Sequence, residues 1–401
     1  MPEKILLLES IHPVAREQLA ADGYDVELLN TSFKEDELIA RLAGVQVLGI
    51  RSKTQITPRV LDAAKDLVAI GAFCIGTNQV ALEHAMRRGI CVFNAPFSNT
   101  RSVAELVLAE IVMLSRHLGD RNREMHRGEW RKVATGSHEV RGKTLGVVGY
   151  GHIGRQIGVI AEFFGMRVVF HDVAQRLPMG NNQPSTSLDA LLAQADFVTL
   201  HVPETPQTKD LIGRAELAKM KRGACLLNLS RGTVVDLEAL AEALRSGHVA
   251  GAAVDVYPEE PEANSSDGFR TPIQGLPNVV LTPHIGGSTL EAQESIGREV
   301  ATSFTKYLKT GATSGSVNFP HVELLRTAGT HRVVNVHQNV PGVLRDVNKI
   351  VSDHDANILA QVLSTNADIG YLVMDFDAPS HHAIAEAMRA LPTTILARAV
   401  D

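Results

Sequence analysis

Aromatic residues make up only 4% of the 401-residue chain and tryptophan occurs once, at Trp130, so few rings are available to stack nucleobases. Cysteine is scarce: Cys74, Cys91 and Cys225 are an odd number with wide, irregular spacing. They supply neither a disulfide framework nor a CxxC metal pair, which leads us to expect buried free thiols, a reducing cytoplasmic setting and no metal site. No apolar run approaches ~18 residues, the length a membrane-spanning helix needs. The apolar run at residues 5–8 is closed by Glu9, too short for the core of a signal peptide. Basic excess is missing as well. The 39 Lys and Arg against 45 Asp and Glu leave a net charge of −6, a poor match for a nucleic-acid partner.

What is present is the composition of a soluble globular protein, 44% hydrophobic and 21% charged. At roughly 150 residues per domain, the length predicts two or three folded units. Over residues 1–98, KILLL (4–8), QVLGI (46–50) and LVAI (67–70) read as buried strands separated by helical patterns, the alternation of a parallel α/β sheet. At NTRS the spacing of Ser102 and Glu105 predicts a capping box. The helix behind it, VAELVLAEIVML, is apolar nearly all round, as expected of one buried between domains or subunits. From 143 to 287 six further strands alternate with helices: TLGVV, MRVVF, FVTL, CLLNL, AGAAV and NVVLT. Six strands suit a complete doubly wound dinucleotide-binding fold. A long helix is predicted over 289–308, followed by an irregular linker over 309–330. The tail from 331 to 401 reads βαββαβ, the ferredoxin-like split unit.

The sharpest motif is VVGYGHIG, with Gly149, Gly151 and Gly154 in GxGxxG spacing between a strand and a helix. Gly149 allows the tight turn, Gly151 lets the backbone approach a pyrophosphate, and Gly154 allows close helix–strand packing. Asp172, 18 residues past the last glycine at the end of the next strand, is placed to accept hydrogen bonds from a ribose diol. Its charge opposes a 2′-phosphate by roughly 4 kcal/mol at about 4 Å and an effective dielectric near 20. No Arg or Lys follows it immediately, so the expected cofactor is NAD rather than NADP.

Three more polar groups stand just beyond apolar strands: Arg231 after CLLNL, Glu260 after AGAAV and His284 after NVVLT. Ligands of doubly wound sheets bind beyond the carboxyl ends of strands, so these three are expected to converge on the cofactor crevice. Oxidising an alcohol by hydride loss needs a base for the hydroxyl proton, and histidine suits that near neutral pH. A carboxylate beside the imidazole orients it, and an arginine fork holds a substrate carboxylate.

The set GYGHIG, SRGTVVD, DVYPEEP and TPHIGGS resembles the D-isomer-specific 2-hydroxyacid dehydrogenase family, across essentially the whole chain. The family's catalytic Arg, Glu and His match Arg231, Glu260 and His284. The segments GIRSKTQIT, IGAFCIGTNQV and VFNAPFSNTRSVAEL are similar to those members that oxidise 3-phospho-D-glycerate to 3-phosphooxypyruvate and carry one carboxy-terminal ACT domain. The resemblance implies a Rossmann NAD-binding domain (99–287) inserted into a flavodoxin-like substrate-binding domain (1–98 and 288–327), with an ACT domain over 328–401. Residues matching cofactor contacts are His152, Ile153, Asp172, Leu229, Ser230, Arg231, Asp255, His284, Ile285, Gly286 and Gly287. Arg51, Ser52, Lys53 and Asn99 match the positions that bind the substrate's phosphate and carboxylate. An arginine is common where Lys53 stands, and a lysine binds phosphate there without the bidentate fork.

For the tail, the resemblance implies serine as an allosteric effector, held by His337, Asn339 and Asn357 across paired domains. Where similar enzymes carry a Gly-Gly hinge before this domain, RTAGTHR offers only Gly329. The segment HRGEWRK, with Arg127, Arg131 and Lys132, matches a region that crosses to a neighbouring subunit and could add positive potential there. A homotetramer is the assembly implied. The alternatives open from sequence are reduction of 2-oxoglutarate alongside the main activity, another 2-oxoacid reductase acting on hydroxypyruvate or glyoxylate, or a non-catalytic NAD-sensing interaction protein.

Overall fold

The computed structural model describes residues 3–261, 266, 268–377 and 379–400. The chain forms two compact units, Met1–Ser98 with Gln293–Asp401, and Asn99–Ala292.

The first unit opens with five parallel strands: β1 (Lys4–Leu7), β2 (Asp25–Leu28), β3 (Val47–Ile50), β4 (Ala69–Ala72) and β5 (Cys91–Asn94). Their order, β2-β1-β3-β4-β5, is that of flavodoxin-like sheets. A parallel sheet covered on both faces needs near-continuous apolar strands, and β3 and β4 are buried at every position. Two strands go beyond the sequence expectation. β2, DVEL, is a half-exposed edge strand whose alternating acids hide its period, and β5, CVFN, is too short to stand out. β4 also starts two residues after the LVAI run does.

The second unit holds seven parallel strands: β6 (Thr144–Val148), β7 (Arg167–His171), β8 (Gln183–Pro184), β9 (Phe197–Leu200), β10 (Ala224–Asn228), β11 (Val249–Val254) and β12 (Val279–Leu281). Their order is β12-β11-β10-β9-β6-β7-β8, so the direction of winding reverses between β6 and β9. The crevice at such a reversal is where ligands of these sheets bind. The helix Thr100–Ser115 lies within this unit, its Val103, Val107, Ile111 and Leu114 sharing a core with Leu145, Val147 and Ile157. The capping box is not formed. The helix starts three residues earlier, with Asn99 as N-cap, which leaves Ser102 inside it. Ser102 instead bonds Thr289 Oγ1 at 2.8 Å, and Glu105 accepts from Arg101 at 2.5 Å.

The carboxy-terminal sheet belongs to the first unit: β13 (His331–Gln338), β14 (Ile358–Thr365), β15 (Ile369–Phe376) and β16 (Thr394–Val400). The order is β14-β15-β13-β16, all antiparallel, with the helices Val343–Asp353 and His381–Arg389 packed against one face. The other face sends Val334, Val336, Tyr371 and Val373 into the same core as Phe93, Phe304 and Tyr307. This face is pinned to the end of the helix Leu290–Thr310. Arg332 Nη1 donates to the carbonyls of Thr310 (2.8 Å) and Leu324 (2.9 Å), Arg398 donates to those of Leu308 (3.0 Å) and Tyr307 (2.5 Å), and Tyr371 Oη donates to that of Gly311 (2.6 Å). Most of these are carbonyls that a helix end leaves without intrahelical partners, and cations are favoured there.

Residues 311–330 contain no helix or strand, yet they are not a loose linker. Phe319 and Val322 are buried, and Asn318 bonds both Val92 N (2.8 Å) and Ile90 O (2.9 Å) at the start of β5. Cys91 and Cys225 are free thiols and buried as expected, but Cys74 is only half-buried. No helix among the described residues is long and apolar enough to cross a membrane.

Candidate active site

The glycine-rich turn between β6 and the helix His152–Phe163 is built as its sequence requires. Gly149 has φ +89, and a Cβ there would lie 2.3 Å from the carbonyl oxygen of His201, next to the winding reversal. Gly154 packs equally tightly, its hypothetical Cβ 2.3 Å from Gly149 O. Gly151, the N-cap, differs: a Cβ would meet nothing within 4 Å. No neighbouring protein atom therefore excludes a side chain at Gly151, and the site fits a group that must itself approach the backbone, as a pyrophosphate does. His152 and Ile153 form the first turn behind it.

Asp172 follows β7. Its Oδ2 accepts from Tyr150 N (2.8 Å) and its Oδ1 from Ala174 N (2.9 Å), which fixes the carboxylate beside the turn. A cation does stand near it, although none follows it immediately in the chain: Arg176 Nε is 3.4 Å from Oδ2. The four-residue spacing across an irregular loop gave no sign that the chain turns back.

On the other side of the reversal, Leu229 and Ser230 are buried beyond β10 and Arg231 follows, with Nη1 donating to Ser230 O (2.7 Å). Asn228 braces this loop by accepting from Ser230 N (3.1 Å) and Oγ (2.8 Å) and donating to Arg231 O (3.0 Å). Gly232 is indispensable for its placement. A Cβ would sit 1.9 Å from Tyr257 C, so only glycine lets the arginine loop close on the loop that carries Glu260.

Glu260 Oε1 accepts from Tyr257 N (3.0 Å), and Oε2 pairs with His284 Nδ1 at 2.7 Å. A carboxylate can only accept, so Nδ1 carries the proton and Nε2 is left as the basic atom. The hydrogen bond to Glu260 raises the His284 pKa above the ordinary imidazole value, more than burial lowers it. For Glu260 burial works upward, but the bonds from His284 and Tyr257 outweigh it and the net direction is down. The positive charge of Arg231 lowers both values, so it acts on the pair. His201, by contrast, is pushed down to about 3 by burial and stays neutral.

The backbone of His284 is left-handed, φ +54, and Asp255 holds it there. Asp255 O accepts from His284 N (2.8 Å), while its carboxylate accepts from Thr282 Oγ1 (2.6 Å), Ile285 N (2.8 Å) and Gly286 N (2.8 Å). Gly287 lies against Asn99, whose Nδ2 would be 2.3 Å from a Cβ. Burial and the Asp255 charge push the buried carboxyl of Glu110 up to about 8. Neither Gly232 nor Thr282 was singled out from sequence, because a close approach between distant loops leaves no local pattern.

Asn99 is thus beside the loop 284–287, whereas Arg51, Ser52 and Lys53 lie together in the first unit, beyond β3. His337 is the last residue but one of β13 and is buried, with Nδ1 against Gln338 O (2.9 Å); Asn339 Nδ2 donates to Asn366 O (2.7 Å). Asn357 is not with them. Gly370 pairs with His337 and Phe376 with Ile358, so six residues of β15 separate the two ends, roughly 20 Å at about 3.3 Å per residue. In the basic segment, Arg127 pairs with Glu129 (3.0 Å) and Arg131 with Glu124 (3.4 Å), while Trp130 is 80% exposed. Two of those three cations are therefore satisfied locally. Among the described residues no group of three or more His, Cys, Asp or Glu could hold a metal ion.

Residues 108–286 match the family "D-isomer specific 2-hydroxyacid dehydrogenase, NAD binding domain", and residues 335–396 match "AHAS small subunit-like ACT domain". The chain is 53% identical over 395 residues to a D-3-phosphoglycerate dehydrogenase of Dictyostelium discoideum, covering 98% of this chain and 96% of that one. It is 50% identical to the D-3-phosphoglycerate dehydrogenase of Escherichia coli K12, over 98% of this chain and 97% of the relative. Among solved structures, the TT0316 protein of Thermus thermophilus superposes with a TM-score of 0.70 at 35% identity, over 78% of this chain and 99% of the other.

Proposed function

The chain belongs to the D-3-phosphoglycerate dehydrogenase family, and from that premise we propose that it oxidises 3-phospho-D-glycerate to 3-phosphooxypyruvate with NAD, the first step of serine synthesis. The observation that carries this reading is the His284–Glu260 pair, 2.7 Å apart and under the charge of Arg231, in a chain about half identical to those dehydrogenases over 98% of its length.

When bound, NAD would supply the acceptor for the hydride of the carbinol carbon. The turn at Gly149, Gly151 and Gly154 with the following helix would hold its pyrophosphate, and Asp172 its ribose. Ser230, Asp255 and the loop 284–287 would border its nicotinamide end. Arg231 binds the substrate carboxylate through its planar fork and polarises the forming carbonyl. His284 Nε2 takes the hydroxyl proton, and Glu260 stabilises the imidazolium that results. Arg51, Ser52 and Lys53 bind the phosphate, and Asn99 donates to the substrate carboxylate. Arg51 and Lys53 have no ion-pair partner among the described residues, which favours substrates with a second anionic group. The carboxylate of 2-oxoglutarate meets that requirement too, so its reduction is expected as a side activity.

Serine is the effector of the ACT sheet. The distance between His337 and Asn357 within one chain supports a site assembled from two copies, with His337 and Asn339 from one and Asn357 from the other. That requires at least a dimer, and a tetramer is our reading of the assembly.

NADH production should be followed with 3-phospho-D-glycerate, 2-hydroxyglutarate, lactate and glycerate, each with and without serine. Phosphoglycerate should be oxidised fastest and serine should slow it. No turnover of phosphoglycerate ends the proposal.

A further inference from the structure

Glu9 is the residue that closes the first apolar run, and the structure gives it a second role. It follows β1 with φ +61, and Ser10 after it has φ +54. Two consecutive non-glycine residues in the left-handed region are unfavourable and persist only where surrounding contacts enforce them. Glu9 N is held by Thr31 O (3.1 Å) and Ser10 N by Leu29 O (3.4 Å). The bend carries the Glu9 side chain across to the loop that follows β3. Glu9 is only 7% exposed; its Oε2 accepts from Lys53 N (2.9 Å) and its Oε1 from Thr54 N (2.8 Å). Gln79 grips the same loop from its other end, Nε2 donating to Arg51 O at 2.5 Å.

The backbone of residues 51–54 is therefore fixed at both ends by side chains from distant segments, while the cationic side chains on it have no ion-pair partner among the described residues. A buried carboxylate next to an anion-binding loop works against the anion's charge, so its presence needs a geometric benefit. Charge-assisted bonds to two successive N–H groups are strong and directional, and they define where Arg51 and Lys53 start from. Side chains as long as these hold an anion well only when their backbone is fixed.

We infer that Glu9 is a positioning residue for the distal anion of the substrate, setting the loop from which Arg51 and Lys53 reach it. The inference rests on the reading that these two cations bind the phosphate. Glu9→Gln keeps the shape but turns an amide NH2 toward one of the two backbone N–H donors. KM for 3-phospho-D-glycerate should rise about tenfold, the worth of one charge-assisted bond. The kcat value, the kcat/KM for unphosphorylated D-glycerate and the NADH dissociation constant should stay within about twofold. Equal losses with both substrates would mean that Glu9 only supports the fold. An unchanged or lower KM for phosphoglycerate would mean that its charge, not its geometry, is felt. Either result overturns the inference. If Glu9→Gln does not fold, Glu9→Asp, which keeps the charge and withdraws the acceptors by one methylene, is judged by the same split. The double variant Arg51→Gln/Lys53→Met separates the two layers. If it leaves the phosphoglycerate KM unchanged, the phosphate reading itself fails. If it raises KM while the Glu9 variants do not, only the role of Glu9 falls.

Discussion

Two cation–carboxylate pairs, one in each unit, put the same chemistry to opposite uses. His284 and Glu260 meet at 2.7 Å between two exposed loops, with a left-handed residue at the contact and one imidazole nitrogen without a partner among the described residues. Arg332 and Asp375 meet bidentately at 2.6 and 2.7 Å, with their side chains 0% and 2% exposed, and the remaining guanidinium nitrogen bonded to two carbonyls. The first pair leaves a proton-accepting atom unengaged and adjusts its basicity. The second has every nitrogen committed and pins a sheet to a helix end. Exposure separates the pair proposed for catalysis from the structural one: water and a ligand can reach His284, whereas Arg332 and Asp375 are shut off from both.

The contrast is broken most directly at the base. His284→Asn should lower kcat by about 10²–10⁴-fold while NADH titration shows nearly unchanged binding; unaltered turnover would remove His284 from the chemistry. The buried pair should respond in stability instead. Asp375→Ala strands the Arg332 charge and should cost about 3–5 kcal/mol in urea unfolding, with kcat unchanged while the protein is folded. Replacing both partners by apolar residues should recover much of that loss. A change in kcat comparable to that of the His284 variant would show that the two pairs are not separate in function.

Next in size is regulation. His337→Ala with Asn339→Ala should abolish the serine response, a coupling of about 1–3 kcal/mol, and leave uninhibited turnover intact. Point variants are better than deleting residues 331–401, because deletion would bare the apolar face shared with Phe93 and Tyr307. Persistent inhibition in the double variant would place the effector elsewhere.

The smallest effect sharpens the comparison through pH. Because Glu260 raises the His284 pKa above 6.5, the pair favours the folded state below about that value, and the contribution is lost as pH rises through the higher folded one. With His284 as the proposed base, oxidation needs neutral imidazole, so kcat/KM should climb through the raised pKa. Glu260→Gln removes the cause, and the acid-side inflection should move to lower pH. An inflection that does not move would assign the titration to another group.

Much of this was legible in the chain itself. The glycine turn, Asp172, the strands before Arg231, Glu260 and His284, and the βαββαβ tail all announce themselves through spacing and period, since each depends on a few neighbouring residues. The misreadings share another cause. Ser102 and Glu105 have the spacing of a cap, but Asn99 already starts the helix, and other partners, at Thr289 and Arg101, take those side chains. Residues 309–330 look like a linker because they lack a period, yet bonds to Val92 and Arg332, from elsewhere in the chain, tie the segment down.

The sequence by itself determined most of the segments that become strands and helices, with β2 and β5 the exceptions, along with the turns that demand glycine and the side chains at strand ends, because those outcomes follow from local sterics and hydrophobic periodicity. Only the tertiary structure decided that Arg176 stands beside Asp172, that Gly232 admits the arginine loop, that Glu9 grips residues 53 and 54, and that Asn357 is far from His337 in one chain. Those outcomes depend on how the chain folds back on itself, fixed by strand register and close packing, and no local pattern encodes them.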